Sequence, residues 1–358
     1  MQATHKPDDL VIYTLVTGAA GFIGSRFCDH IANKGFNVLA VDRIKNFKSQ
    51  FSNDCIVTAN CDLNNRYEVL DLFSKFRINQ VVHLATELNF AVKSQKELYD
   101  NNVRMTENLL YAAQLNAIAR FIFASSFAIY SGIRGGGLIG EEIKPFSVDE
   151  YGSSKIACEE LIIKTAKDFP TIIIRCPLVV GSGRVGMLSI LFDSISSNAP
   201  VITVNGGNIK HHCVSIEDVL DILYKSLSEN RRILVNIGCD DVKTFREFYL
   251  DLISHAKSKS KLMNVSSVWT IPIMRLLFAF KLSPLGPHQL RMLTEDCLLS
   301  TELVKREMDW TPHISHFQMM RSAYNEYLAT RNSSDISSAN SKPVAAKALR
   351  LLKFLKIF

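Results

Sequence analysis

The chain has 358 residues, enough for one large α/β domain or two smaller ones with a substantial core. Nearly half the residues are apolar (47%) and 21% are charged, which excludes a disordered or fibrous chain. The formal charge of +6 is concentrated at the end, where Lys342, Lys347, Arg350, Lys353 and Lys356 face one acid, Asp335; this excludes a broad nucleic-acid-binding face and leaves one local basic element.

Taken in order, "MQATHKPDDL" lacks the apolar core of a signal peptide. The first apolar run, Val11–Thr17, is predicted to be a strand and leads into "TGAAGFIGSRF". Gly18, Gly21 and Gly24 form G-x-x-G-x-x-G at a strand-to-helix turn, where glycines let the backbone approach a pyrophosphate and the helix N-terminus offers its N–H groups. The predicted helix Phe22–Asn33 and strand Asn37–Asp42 follow, and the strand ends on an acid 18 residues beyond Gly24. A carboxylate there accepts hydrogen bonds from a ribose diol and repels a 2′-phosphate, so Asp42 favours NAD over NADP. The neighbouring Arg43 is the residue that would instead accommodate that phosphate.

Further strands are expected at Cys55–Ala59, Gln80–Ala85, Arg120–Ser125 and Thr171–Cys176, with helices at Arg66–Phe76, Lys96–Asn116 and Glu150–Lys167. The strands are nearly continuous apolar runs, as in strands buried on both faces, and alternation with helices predicts a Rossmann-like, doubly wound parallel sheet. Asp62 in "NCDL" is placed either near an adenine ring or as a helix cap. "FIFASSFAIY" puts Ser125 and Ser126 at a strand's carboxyl end, where ligands of open α/β sheets bind. "YGSSK" then sets Tyr151 four residues before Lys155, on one helical face. A tyrosine phenol ordinarily titrates near about 10, and an ammonium one turn away favours the phenolate.

After Pro177 the pattern loosens into a smaller lobe, with short strands in "PVITV" and "ILVNIG" and helices near Ile216–Ser228 and Phe245–Ser258; "ILVNIG" is also able to return to the sheet. Pro284 and Pro287 bracket a loop. "VSSVWTIPIMRLLFAFKL" (Val265–Leu282) is broken by Ser266, Ser267, Pro272 and Arg275 and is expected to be a core helix, not a membrane span. The boundaries are a dinucleotide-binding domain at 10–176, a substrate lobe at 177–330, a polar linker at 331–343 and a basic amphipathic helix at 344–358. In the last, Val344, Ala348, Leu351, Leu355 and Phe358 recur at 4-3-4-3 spacing opposite the basic residues, as in an anionic-membrane anchor or, alternatively, a helix docking on the protein body or on a second subunit. The eight cysteines show neither a C-x-x-C nor a metal-ligand spacing, so no metal is expected and a cytoplasmic setting, at or near the membrane face, is.

These segments together resemble the extended short-chain dehydrogenase/reductase family, in its nucleotide-sugar epimerase/dehydratase group. "TGAAGFIG", "VVHLAT", "NNVRMTENLL", "FIFASSFAIY", "YGSSKIACEELI", "IIIRCPLVVG", "CVSIEDV" and "LLSTELVKREMDWTP" match its segments in order. The resemblance implies NAD as cofactor, Tyr151 as acid/base, Lys155 as its support, Ser126 as the hydroxyl, and a homodimer. It extends the cofactor contacts to Phe22, Ile23, Leu63, Leu84, Ala85 and Asn102, and makes His83 structural. Phe127 and Ala128 stand where family dehydratases carry an acid pair and decarboxylating relatives a glutamate, which argues against both reactions. A nucleotide-sugar 4-epimerase is the leading reading; a reductase or dehydrogenase of a keto sugar or lipid alcohol shares its chemistry, and a non-catalytic NAD sensor is the rival of another class. In the substrate lobe, Leu178 replaces a frequent asparagine, His211 stands where an arginine often pins phosphate, and Arg184 and Arg291 are candidate diphosphate ligands.

Overall fold

The computed structural model describes residues 11–88, 94–181, 188–279 and 292–332. Arg184, Arg291, Pro284, Pro287 and Val344–Phe358 fall outside the described residues.

Seven strands form one parallel sheet: β1 (Ile12–Thr17), β2 (Val38–Asp42), β3 (Ile56–Asn60), β4 (Arg77–His83), β5 (Arg120–Ser126), β6 (Thr171–Cys176) and β7 (Ile233–Asn236). Their spatial order is β7-β6-β5-β4-β1-β2-β3. The order reverses at β1, so a crevice opens beyond the carboxyl ends of β1 and β4, the position at which such sheets take ligands.

The sheet is two-sided because successive strand residues point to opposite faces. Val16, Ala40, Val82 and Ile174 pack with Phe27 and Ile31 of α1 (Phe22–Ala32). Leu15, Leu39, Val81 and Ile173 pack on the other face, against α2 (Arg66–Lys75), α3 (Gln95–Leu115) and α4 (Glu150–Thr165) through Val69, Leu109 and Ile162. Every one of these apolar strand side chains is nearly or fully buried. The continuous apolar runs in the sequence follow from this double covering.

The second lobe holds α5 (Leu188–Ser196), α6 (Ile216–Ser226), α7 (Phe245–His255), α8 (Ser267–Ala279), α9 (Glu302–Met308) and α10 (His316–Asn332). Its own core gathers Phe192, Ile195, Phe248, Leu252 and Met320. The chain does not stay there between entry and exit. Ile216, Val219 and Ile222 of α6 join the cluster around α1, and β7 pairs with β6 from Ile233↔Ile172 to Asn236↔Arg175. "ILVNIG" thus returns to the sheet.

One expectation is corrected. α8 is not a core helix: Val268 (70%), Trp269 (74%), Ile273 (51%) and Leu276 (59%) are exposed. Its high apolar content shows that the helix is hydrophobic, but not which surface it faces. The boundary placed at residue 331 falls inside a helix, since α10 continues through Asn332. Among the described residues, no helix is long and apolar enough to cross a membrane.

Candidate active site

The turn after β1 has the shape a pyrophosphate needs. Gly18 has φ +69°, and a Cβ on it would lie 2.7 Å from the Ala85 nitrogen. At Gly24 a Cβ would meet the Gly18 carbonyl oxygen at 2.1 Å. Both positions therefore require glycine for close backbone approach. Thr17 joins this turn to the end of β4, its Oγ1 accepting from the Leu84 and Ala85 N–H groups at 3.2 Å each. The four expected contacts Gly18, Gly24, Leu84 and Ala85 are thus one piece of structure. Gly21 is the N-cap of α1, and Phe22 and Ile23 open that helix.

Asp42 ends β2 beside the same turn. Its Oδ2 accepts from the Ala20 N–H at 3.0 Å and its Oδ1 from the Ile44 N–H at 3.1 Å. These bonds fix the carboxylate while leaving lone pairs for a ribose diol. Arg43 points elsewhere: its Nη1 donates to Glu87 Oε1 at 2.6 Å, and Asn101 donates to the other oxygen of that carboxylate at 3.0 Å. The guanidinium that would have welcomed a 2′-phosphate is neutralised in place. Asp62 Oδ1 accepts from the Asn64 N–H at 3.0 Å, a local turn bond, and Leu63 is buried with its carbonyl taken by Asn108.

Asn102, expected near the cofactor, is buried and spends its amide on the scaffold. It accepts from the Glu87 N–H at 2.8 Å and donates to Ser154 Oγ at 3.0 Å and to the Glu87 carbonyl at 3.2 Å. It clamps the loop after β4 to α3 and α4. His83 is structural as expected, its ring bonded to Thr17 Oγ1 at 2.8 Å and Thr106 Oγ1 at 3.2 Å. Full burial, with a smaller contribution from Lys155, lowers its pKa to about 3, so the ring is neutral.

The two serines separate cleanly. Ser125 is buried and donates to Glu159 Oε1 at 2.5 Å, so it is unavailable to a substrate. Ser126, pointing the opposite way along the strand, is half-buried, and among the described residues its Oγ accepts from the Ala128 N–H alone, at 3.2 Å. The hydroxyl hydrogen remains free to donate. The neighbouring 3₁₀ turn, Phe127–Tyr130, supplies no carboxylate.

Tyr151 lies in the first turn of α4, whose N-cap Asp149 accepts from the Gly152 N–H at 2.8 Å. A Cβ on Gly152 would lie 2.3 Å from the Ala128 carbonyl oxygen, so the helix start is pressed against the segment following Ser126. That contact brings the tyrosine and serine elements together. Lys155 is buried; its Nζ donates to the Ala124 carbonyl at 2.9 Å and lies 6.0 Å from the Tyr151 ring centroid.

The remaining substrate candidates are less gathered. Leu178 is half exposed on the short strand Leu178–Val180. His211 turns its Nε2 to the Glu295 carbonyl at 3.0 Å and sets its ring edge on Phe245.

Two groups escaped the sequence. Glu159 and Arg175 form an ion pair at 2.6 Å with both side chains 4% exposed. Glu159 is one helical turn past Lys155, a spacing visible in "YGSSKIACEE", but nothing local identifies Arg175 as its partner. The fold also gathers Cys213, Cys239 and His316, with their sulfurs and a ring nitrogen within 4.8 Å of one another. His316 Nδ1 accepts from the Lys243 N–H at 3.1 Å, and its buried Nε2 has no hydrogen-bond partner among the described residues. The facing Cys213 sulfhydryl, with a smaller contribution from the nearby His316, holds the Cys239 thiol below its ordinary range.

Comparison with known proteins agrees with this geometry. Residues 14–238 match the model of the "NAD dependent epimerase/dehydratase family". A Sinorhizobium fredii protein, "Uncharacterized protein y4nG", is 26% identical over 351 residues, covering 96% of this chain and 86% of its own. A putative UDP-glucose 4-epimerase of Methanocaldococcus jannaschii is 28% identical over 262 residues, covering 67% of this chain and 81% of that protein. The fold is similar to that of the Thermotoga maritima UDP-glucose 4-epimerase solved with UDP-glucose, with TM-score 0.74 and 19% identity over 89% of this chain and 99% of that one.

Proposed function

Since the chain belongs to the NAD dependent epimerase/dehydratase family and is an enzyme with NAD as its cofactor, we propose that it inverts C4 of a UDP-sugar. The carrying observation is the juxtaposition of Ser126, Tyr151 and Lys155 with no carboxylate in the turn after Ser126. Bound in the glycine cradle, NAD supplies reversible acceptance of a hydride from a carbinol carbon.

The protein's part is proton transfer and placement. Ser126 Oγ donates to the sugar oxygen as it becomes a carbonyl. The Tyr151 phenolate takes the hydroxyl proton and later returns it, and Lys155 Nζ stabilises the phenolate. Asp42 holds the adenosine ribose. Dehydration would need a further acid and base at the positions of Phe127 and Ala128, and neither side chain exchanges a proton. A 4-epimerase needs none, because the same tyrosine serves both directions. The substrate class is supported by the relatives named UDP-glucose 4-epimerase, among which the Rhizobium meliloti protein is 31% identical over 150 residues; a similarly distant relative is a UDP-N-acetyl-glucosaminuronate decarboxylase.

The test is incubation of the purified protein, without added cofactor, with UDP-, GDP-, CDP- and dTDP-sugars. An isomeric product with no net absorbance change at ~340 nm is expected, the nicotinamide being the redox group. Turnover only when reduced cofactor and a keto substrate are supplied would make the enzyme a reductase. Tyr151→Phe should keep its NAD and lose ~10²–10⁴-fold in turnover, the usual worth of a general acid/base. The basic C-terminal segment is, in the same reading, an anchor to an anionic membrane face. Truncation after Asn332 should then abolish sedimentation with anionic liposomes, and unchanged sedimentation would remove the anchor.

A further inference from the structure

Behind the candidate catalytic residues lies a buried polar knot that their proposed chemistry does not use. Glu159 and Arg175 are its centre, each 3% exposed as a residue. Arg175 reaches the carboxylate three times, Nε to Oε1 at 3.1 Å and to Oε2 at 3.2 Å, and Nη2 to Oε2 at 2.6 Å. Its Nη1 donates to the Tyr130 hydroxyl and, at 3.4 Å, to the Glu141 carbonyl. Burial pushes the Tyr130 phenol up to about 12, so it keeps its proton and passes the chain on to the Gly140 carbonyl at 3.4 Å. Ser125 completes the carboxylate's shell. Glu141 Oε1 in turn accepts from the Asn236 N–H at 2.7 Å, which hangs the 139–141 segment on β7.

The attachments of this knot coincide with the elements that carry the reaction. Ser125 immediately precedes Ser126. Tyr130 closes the 3₁₀ turn that Ser126 caps. Glu159 lies one turn beyond Lys155 and two beyond Tyr151, on the same face of α4. A slide of β5 along α4, or a rotation of α4 about its axis, would separate the serine hydroxyl from the tyrosine. Either motion must first break a charge-assisted bond in a dry interior, where such bonds are strongest. Glycine at 152 allows the close approach of helix and turn; the knot removes the freedom left in that contact.

We propose that the Glu159–Arg175 pair is a positioning device, holding the Ser126 hydroxyl and the Tyr151 phenol on one substrate oxygen. This rests on the catalytic assignment above. A buried ion pair is a poor means of stabilising a fold, since apolar residues of similar volume commonly do as well or better. Direction, which apolar packing does not supply, is what the pair adds.

That distinction makes the test. In the full chain, Ser125→Ala removes one hydroxyl from the carboxylate's shell with little change in volume. It should lower kcat several-fold with the unfolding midpoint and NAD affinity close to wild type. Glu159→Leu combined with Arg175→Met replaces the pair by apolar side chains. Its midpoint should be at or near wild type, its NAD affinity unchanged, and its kcat lower by about 10²-fold, the cost of ~1 Å of misplacement. Glu159→Gln alone, which strands a buried guanidinium, should lose both midpoint and kcat. Recovery of full kcat together with the midpoint in the double variant would show a merely structural pair and overturn the proposal. So would full kcat in Ser125→Ala. Tyr151→Phe is measured alongside: if it retains full turnover, the catalytic assignment fails and the positioning role fails with it, whereas loss in Tyr151→Phe with normal kcat in Ser125→Ala and the double variant sinks the positioning role alone.

Discussion

Acidification should loosen this protein through one imidazole. His83 is 1% exposed, between Thr17 at the end of β1 and Thr106 of α3. Thr17 Oγ1 already accepts from two backbone N–H groups, so its single hydrogen goes to His83 Nδ1, and the ring proton sits on Nε2 facing Thr106. A second proton on Nδ1 would confront a hydroxyl whose lone pairs are taken, in a buried site with the Lys155 charge nearby. The folded-state pKa is accordingly lowered from 6.5 to about 3. A depressed folded pKa gives stability that is complete above 6.5 and is lost as pH falls towards 3, because the unfolded chain binds the proton first. At ~1.36 kcal/mol per unit, going from pH 8 to pH 5 should cost about 2 kcal/mol from this residue alone. Urea unfolding at pH 8, 6.5 and 5 measures the loss. Carboxylates and the other histidines contribute too, so the decisive quantity is the difference in slope between wild type and His83→Gln. The variant should be less stable at pH 8 yet show a pH dependence shallower by that same ~2 kcal/mol. Parallel curves for the two proteins would refute the reasoning.

Other substitutions test the cofactor cradle. Gly24→Ala drives a methyl to 2.1 Å from the Gly18 carbonyl oxygen and should abolish retention of NAD through purification, which release and absorbance of bound cofactor would show. Glu87→Gln removes the counter-charge of Arg43; the freed guanidinium should improve NADP binding relative to NAD by roughly 10–100-fold, a charge-assisted bond being worth ~1.5–3 kcal/mol, and titration of both cofactors would reveal it. Unchanged selectivity would mean that Asp42 alone sets the preference.

The sheet and the cofactor turn were legible because their causes are local. Strands covered on both faces must be apolar at every position, and a turn that meets a Cβ at 2.1 Å must be glycine. The choice of Ser126 over Ser125 came from the family resemblance, since strand alternation says that two adjacent residues face opposite sides but not which of them faces the crevice. The return of Ile233–Asn236 was only an option in the sequence, since a short apolar run does not say which strand it will pair. Asn102 was read as a cofactor neighbour, yet its amide is consumed by Glu87 and Ser154, partners 15 and 52 residues away that no spacing rule connects. Arg175 escaped for the same reason: at the end of "TIIIRC" it reads as the edge of a strand, and only the packed fold places a carboxylate against it.

The exposure of α8 turns the molecule's two tryptophans into separate reporters. Trp310 is 3% exposed and donates through Nε1 to Asp221 at 3.0 Å, while Trp269 stands 74% exposed on α8. The first should emit at short wavelength and resist aqueous quenchers; the second should emit to the red and be quenched readily. Anything that settles on α8 should therefore announce itself as a blue shift of the Trp269 emission, with that of Trp310 unchanged.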